Sequence, residues 1–231
     1  YVVNGDIVKF KVKNYDPEKT LIIDPTEIFF SYSGSTADNW GFTATYGPDG
    51  SFYGGGIVFN SGFPVTPGAY NNNFNGDFDI GIIKLSPDGK NNIYSTYIGG
   101  NNAEQPHSLI VDPQGNLVIA GRSKSSDYPT YPASVPKVIG RGGGWDIVVT
   151  KLNATGSALI GSMRIGGSSD DGVNIKDESG APGGGSLKRN YGDDARSEVL
   201  LDGANNIYLA SCTQSPDYSE TITPRAFQSK I

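Results

Sequence analysis

Short apolar stretches alternate with polar residues along most of the chain and are broken every few residues by Gly, Pro, Asn or Asp, a pattern that predicts strands and turns rather than helices. In the middle of the chain the strand candidates are His107 to Asp112, Leu117 to Arg122, Asp146 to Leu152 and Ala158 to Ile165. Between the first two lies Asp112-Pro113-Gln114-Gly115-Asn116, and between the last two Asn153-Ala154-Thr155-Gly156; both are the turn chemistry that joins antiparallel neighbours. Nearer the start, Val8, Phe10 and Val12 alternate with Lys9, Lys11 and Lys13, which predicts a half-buried strand with one wet face. Apolar runs such as Leu117 to Ala120 and Ile207 to Ala210 stop at four residues, where a membrane-crossing helix needs about 20.

The strand pattern repeats. The stretch beginning at Ser31 matches the one beginning at Thr96: Gly34, Gly56 and Pro64 correspond to Gly99, Gly121 and Pro129, each 65 residues on, and Lys84 and Leu85 to Lys151 and Leu152, each 67 on. The two-residue slip falls in the Asn- and Gly-rich segment between Pro64 and Lys84, which reads as a loop. A third copy opens at Met163, with Gly166 lying 67 after Gly99, and resumes at Ser197, with Asp202 and Tyr218 lying 90 after Asp112 and Tyr128. The change of offset from 67 to 90 places an insertion of about 23 residues in the third copy. Four antiparallel strands per repeat, with a repeat length in the tens of residues, fit the blade of a β-propeller. The expected fold class is therefore all-β, with four-stranded antiparallel blades: two full repeats and a partial third. The divisions are 1–28 as a terminal strand and linker of a preceding domain, 29–94 and 95–160 as full repeats, and 161–231 as the partial third with its insertion at about 168–196.

Several segments resemble the bacterial seven-bladed β-propeller repeat family known as SBBP repeats: Tyr94 to Gly100 (YSTYIGG), Ile110 to Gly121 (IVDPQGNLVIAG), Gly62 to Tyr70 (GFPVTPGAY), Ser126 to Pro129 (SDYP) and Asp146 to Gly156 (DIVVTKLNATG). The opening segment, including Leu21 to Pro25 (LIIDP), is similar to the end of a domain that often precedes such repeats in secreted proteins of Bacteroidetes-type bacteria. The resemblance implies an exported protein at the bacterial cell surface, with partners among surface or secretion proteins and associations with type IX secretion, gliding or adhesion. Two full repeats with part of a third are too few to close a ring, and the chain begins at Tyr1, so the expectation is a portion of a larger propeller.

Composition narrows the function. The chain has 231 residues, with 32 Gly, 14 Pro, 36% apolar residues and 11% aromatics, enough side-chain area for a core and too much Gly and Pro for a helical bundle. A net charge of −6 disfavours nucleic acid, because binding a polyanion depends on basic side chains displacing counterions. The single Cys212 leaves no internal disulfide and no Cys-rich zinc site, and the single His107 limits His-dependent triads and metal sites. Asp79 and Asp146 precede equivalent strands and are followed five residues on by Lys84 and Lys151. Residues that recur once per blade are spread around a ring, so these read as turn acceptors and strand covers. Asp77 and Asp79 come nearest to a calcium loop but lack its alternating ligands and distal Glu. The clusters Gly54 to Gly56, Gly142 to Gly144 and Gly183 to Gly185 lack the Lys-Ser/Thr of a phosphate loop.

The insertion is the one segment that departs from the repeat, and such loops are where binding function concentrates; a solvated excursion is the alternative. Its candidate interaction residues are Asp170, Asp171, Lys176, Lys188, Arg189, Tyr191, Asp193 and Asp194. The expected function is a non-enzymatic interaction or scaffold module, with no catalytic residue, cofactor or metal assigned. The alternative is a glycan-binding or glycan-degrading propeller, a lectin, glycoside hydrolase or lyase, with Trp40 and Trp145 as the first sugar-stacking candidates.

Overall fold

The computed structural model describes residues 2–4, 7–9, 16, 18–19, 29–134, 138–140, 142–173 and 197–217, the first two segments by backbone alone. Among the described residues every regular element is a strand. The chain divides into two units, Tyr1–Phe30 and Ser31–Ile231. In the first, β1 (Val2–Asn4) pairs antiparallel with β2 (Ile7–Lys9), Val3 opposite Val8. The predicted continuation of the strand through Phe10 and Val12 lies outside the described residues.

The second unit is built from sheets. The first contains β3 (Asn39–Tyr46), β4 (Phe52–Val58), β5 (Asp79–Leu85) and β6 (Asn92–Ile98), in that order and antiparallel throughout. The second repeats it with β7 (Glu104–Val111), β8 (Leu117–Ser123), β10 (Asp146–Leu152) and β11 (Leu159–Gly166). A two-residue strand, β9 (Ile139–Gly140), runs parallel to β11 at the outer edge. The third is a hairpin of β12 (Ser197–Leu201) and β13 (Ile207–Ser211). The innermost strand of each sheet lies beside that of the next, β3 by β7 and β7 by β12. This is the succession of blades in a β-propeller, present here as three consecutive sheets and not as a closed ring. The sheets end at Ile98 and Gly166, a few residues beyond the 94/95 and 160/161 divisions, because the fourth strand completes its own sheet by pairing with the third.

Sheet faces explain the strand sequences. Alternate residues of β4, β5 and β6 (Tyr53, Ile80, Ile82, Tyr94, Ile98) pack against Leu117, Ile119, Tyr128 and Val148 of the second sheet. The opposite face of that sheet, with Val118, Ala120 and Val149, meets Val199 and Leu209 of the third. Central strands β8 and β10 are thus covered on both faces, and β5 is buried along its whole length; all three read as near-continuous apolar runs where a strand with one wet face would alternate.

The innermost strands β3 and β7 each contain a bulge, with Phe42 the extra residue in β3 and His107 in β7. Gly56 and Gly121 face these bulges: a Cβ on either would stand 2.2 Å from the carbonyl oxygen of Trp40 or Gln105, which only glycine avoids. In the third copy, Val173 and Ser197 hold the positions of the adjacent Pro106 and His107. The insertion therefore enters at the bulge of the innermost strand and comprises residues 174–196, narrower than the expected 168–196.

Candidate interaction face and blade junctions

Of the eight residues proposed for the insertion, Lys176, Lys188, Arg189, Tyr191, Asp193 and Asp194 lie outside the described residues. Asp170 and Asp171 belong instead to the repeat, at the positions of Ala103 and Glu104. Asp170 accepts the Trp145 N–H (2.9 Å), and its carbonyl accepts the Gln214 N–H just as that of Ala103 accepts Lys124. Asp171 is fully buried; it accepts from Gly167 N–H (2.8 Å), Thr213 Oγ1 (2.6 Å) and Ser215 Oγ (2.9 Å). Its carboxylate fastens the third sheet to the second and is not part of an exposed loop.

The same joint precedes the second sheet. Glu104 accepts from Gly100 N–H (3.1 Å) and Ser123 Oγ (2.6 Å), Ser125 Oγ accepts from Asn102 N–H, and Asp127 accepts from Asn101 N–H. Ser215 and Asp217 do the same for Ser169 and Ser168. The loop leaving one sheet thus presents its N–H groups to oxygens of the next. Sequence reasoning assigned Asp79 and Asp146 correctly as acceptors of loop amides, from Asn75 (2.9 Å) and Gly143 (3.0 Å), but missed Glu104 and the two serines. The available signal was the 90-residue recurrence of Ser125 and Asp127 as Ser215 and Asp217.

Electrostatics at the joints is set by burial. Burial pushes the Asp79 carboxyl up to about 8, the Asn75 N–H opposing the shift and neighbouring Glu104 adding to it. Glu104 is raised for the same first reason, against its hydrogen bonds. Burial also raises Asp146, although the Gly143 N–H and the Arg164 guanidinium, 2.8 Å from Oδ2, pull the other way. Among the described residues no group of three or more His, Cys, Asp or Glu side chains is placed to hold a metal.

Two features of the first sheet are open to other molecules. Its face away from the second sheet forms a groove of about 410 Å³ between Trp40, Phe42, Phe52, Phe63, Val58 and Ile83, floored by Gly54, Gly56 and Gly81. Gly54 and Gly81 stand where the second sheet has Ile119 and Val148, and the rings of Phe52 and Phe63 with Ile83 and Val58 lie over these glycines instead. From its rim an aromatic row leads across the strand ends: Trp40 to Phe59 (5.3 Å), Phe59 to Phe78 (5.6 Å) and Phe78 to Trp145 (6.3 Å), with the Arg122 guanidinium 4.2 Å over Trp145. Trp40 is 56% exposed. Trp145 is half-buried, capped by Arg122 and beside Phe78, so Trp40 is the more open of the two sugar-stacking candidates. His107 contacts Ser197 Oγ through Nδ1 (3.0 Å), linking adjacent innermost strands, and Cys212 is half-buried with its carbonyl bonded to Gly172 N–H.

Residues 93–129 match the family model of the SBBP beta-propeller repeat. The matched segment runs from β6 through β7 and β8 to Pro129 and so spans the joint between the first and second sheets. No curated protein matches the chain.

Proposed function

Proceeding from a chain that contains an SBBP beta-propeller repeat at residues 93–129, we propose that it is a non-enzymatic interaction and scaffold module of an exported bacterial surface protein. The observation that carries this reading is the open apolar face of the first sheet. The other face of the first sheet and both faces of the second are covered by a neighbouring sheet, whereas this face is an open groove lined by large apolar side chains. Its occupant is a further sheet of the propeller type, whose large residues fill the groove as Leu117 and Ile119 fill the space against Tyr53 and Ile80. The export route and the association with secretion, gliding or adhesion rest on the resemblance of the repeats and of the opening segment.

A photo-cross-linking amino acid in place of Trp40, in the protein produced by its native host, tests the reading. Cross-linked peptides from a propeller-type repeat are the expected outcome. Capture of saccharide alone would replace the reading with the glycan-binding one, which the exposed Trp40 ring favours, since an aromatic face is what a sugar stacks on.

A further inference from the structure

Asp79 opens β5 and Glu104 opens β7, and both side chains are fully buried. Gly99 stands beside them: a Cβ there would lie 2.1 Å from Asp79 Oδ1 and 2.6 Å from Glu104 Oε2, so the two oxygens face each other across a glycine. Asp79 Oδ2 and both oxygens of Glu104 have donors in the loop amides and Ser123, whereas Asp79 Oδ1 has none among the described residues. The next joint is built alike, with Asp146, Gly166 and Asp171 in the same places. It differs in one respect. Arg164 brings a guanidinium to Asp146, and the equivalent position in the first sheet, 67 residues earlier, is Tyr97. The Tyr97 hydroxyl is occupied elsewhere, donating to the Asn60 carbonyl and accepting from the Phe63 N–H. Among the described residues, one acid pair thus has a cation bonded to it and the other has none.

We propose that Asp79 and Glu104 share a single proton, making the joint between the first and second sheets a pH-responsive latch. Two facing carboxylates in a dry site do not both ionise; the proton occupies Asp79 Oδ1, the one oxygen without a donor, and bonds it to Glu104. The other groups facing the pair leave this balance intact. They are the buried Tyr128 phenol, bonded to Thr150 and itself raised by burial, the hydroxyls of Ser123 and Ser125, and Arg164, held by Asp146 and the Ser125 carbonyl. In the unfolded chain both carboxyls ionise near their ordinary values, about 4. The folded protein keeps one proton that the unfolded chain releases, so this joint contributes full stability below about pH 4 and progressively less up to about pH 8. Above that the second charge is buried and the latch is at its weakest.

The test uses the whole chain and its Asp79→Asn variant, in which an amide N–H takes the place of the shared proton. The expected infrared spectrum at about pH 7 contains a protonated-carboxyl band that disappears in the variant. The expected thermal unfolding profile falls from about pH 4 to about pH 8 in the parent, with a flatter profile and a higher midpoint at the alkaline end in the variant. Absence of the band, or identical pH slopes, overturns the proposal. So does a midpoint raised by calcium chloride in the parent but not in the variant, which would put a cation where the proton is placed. Should Asp79→Asn not fold, Glu104→Gln makes the same comparison from the other side, and the band in the parent decides by itself.

Discussion

Asp112 holds a turn and a lysine at once. Its Oδ1 accepts the N–H groups of Gln114 and Asn116, its Oδ2 the Asn116 amide, and Lys151 Nζ comes to 2.7 Å of a carboxylate that is 1% exposed. Burial pushes this carboxyl up, but the bonds from Lys151 and Asn116 outweigh it and hold the group below its ordinary value. Its contribution to stability is therefore present above about pH 4 and lost as acid titrates the folded carboxylate, opposite in sign to Asp79. Asp112→Ala removes the partner of a largely buried ammonium and the cap of the turn, and should cost about 3 kcal/mol in denaturant unfolding near neutral pH; a cost below about 0.5 kcal/mol would show the bridge to be surface-like. The first copy solves the same problem differently. Gly47 replaces the acid, Asp49 reaches Lys84 at 3.3 Å, and a Cβ at position 47 would stand 2.7 Å from Asp49 Oδ1. The turn acids were legible from sequence because their partners are two to four residues away. The Asp79–Glu104 pair was not, because its members lie 25 residues apart on different sheets.

At the scale of the element, the bulge in the innermost strand decides where the third copy departs from the repeat. Excising residues 174–196 would rejoin Val173 to Ser197 in the spacing of Pro106 and His107, and the protein should keep its β-sheet circular dichroism and unfold within a few degrees, about 3 °C, of the parent. Excising 168–196 would also remove Asp171, which Gly167, Thr213 and Ser215 all contact, and the third hairpin should lose its protection from hydrogen exchange. Equal behaviour of the two deletions would disprove the assignment of the insertion point. Strand positions and hairpin turns followed from local pattern, since an Asx-type turn with a following glycine, such as Gly115 at φ 83°, is specified within five residues. The bulges did not follow, because the extra residue of a bulge, such as His107, is defined by its register with β8 and leaves no local composition.

Over the whole molecule, stability is a chain of nearest-neighbour contacts between sheets, as expected of a repeat architecture. Val199 is buried between the second and third sheets, and Val199→Ala should cost about 2 kcal/mol locally. Amide exchange should quicken in β12 and β13 and stay unchanged in β3 to β6. A uniform rise in all three sheets would mean that the unit opens as a single cooperative body. The open face of the first sheet, a groove between Trp40, Phe52 and Phe63, belongs to the same logic: it is the surface on which the proposed further sheet would extend that series of contacts.

The sequence by itself determined the strands, their hairpins and the blade repeat, because those depend on alternation, turn residues and a period that survives in the spacing of Gly34, Gly99 and Gly166. Only the tertiary structure decided which carboxylates are buried together, that Arg164 meets one pair while Tyr97 stands at its position by the other, and that Asp171 is a joint and not a loop residue. The physical reason is distance along the chain. Charge compensation and burial are set by neighbours across a sheet interface, and residues brought together from different blades carry no local mark of their meeting.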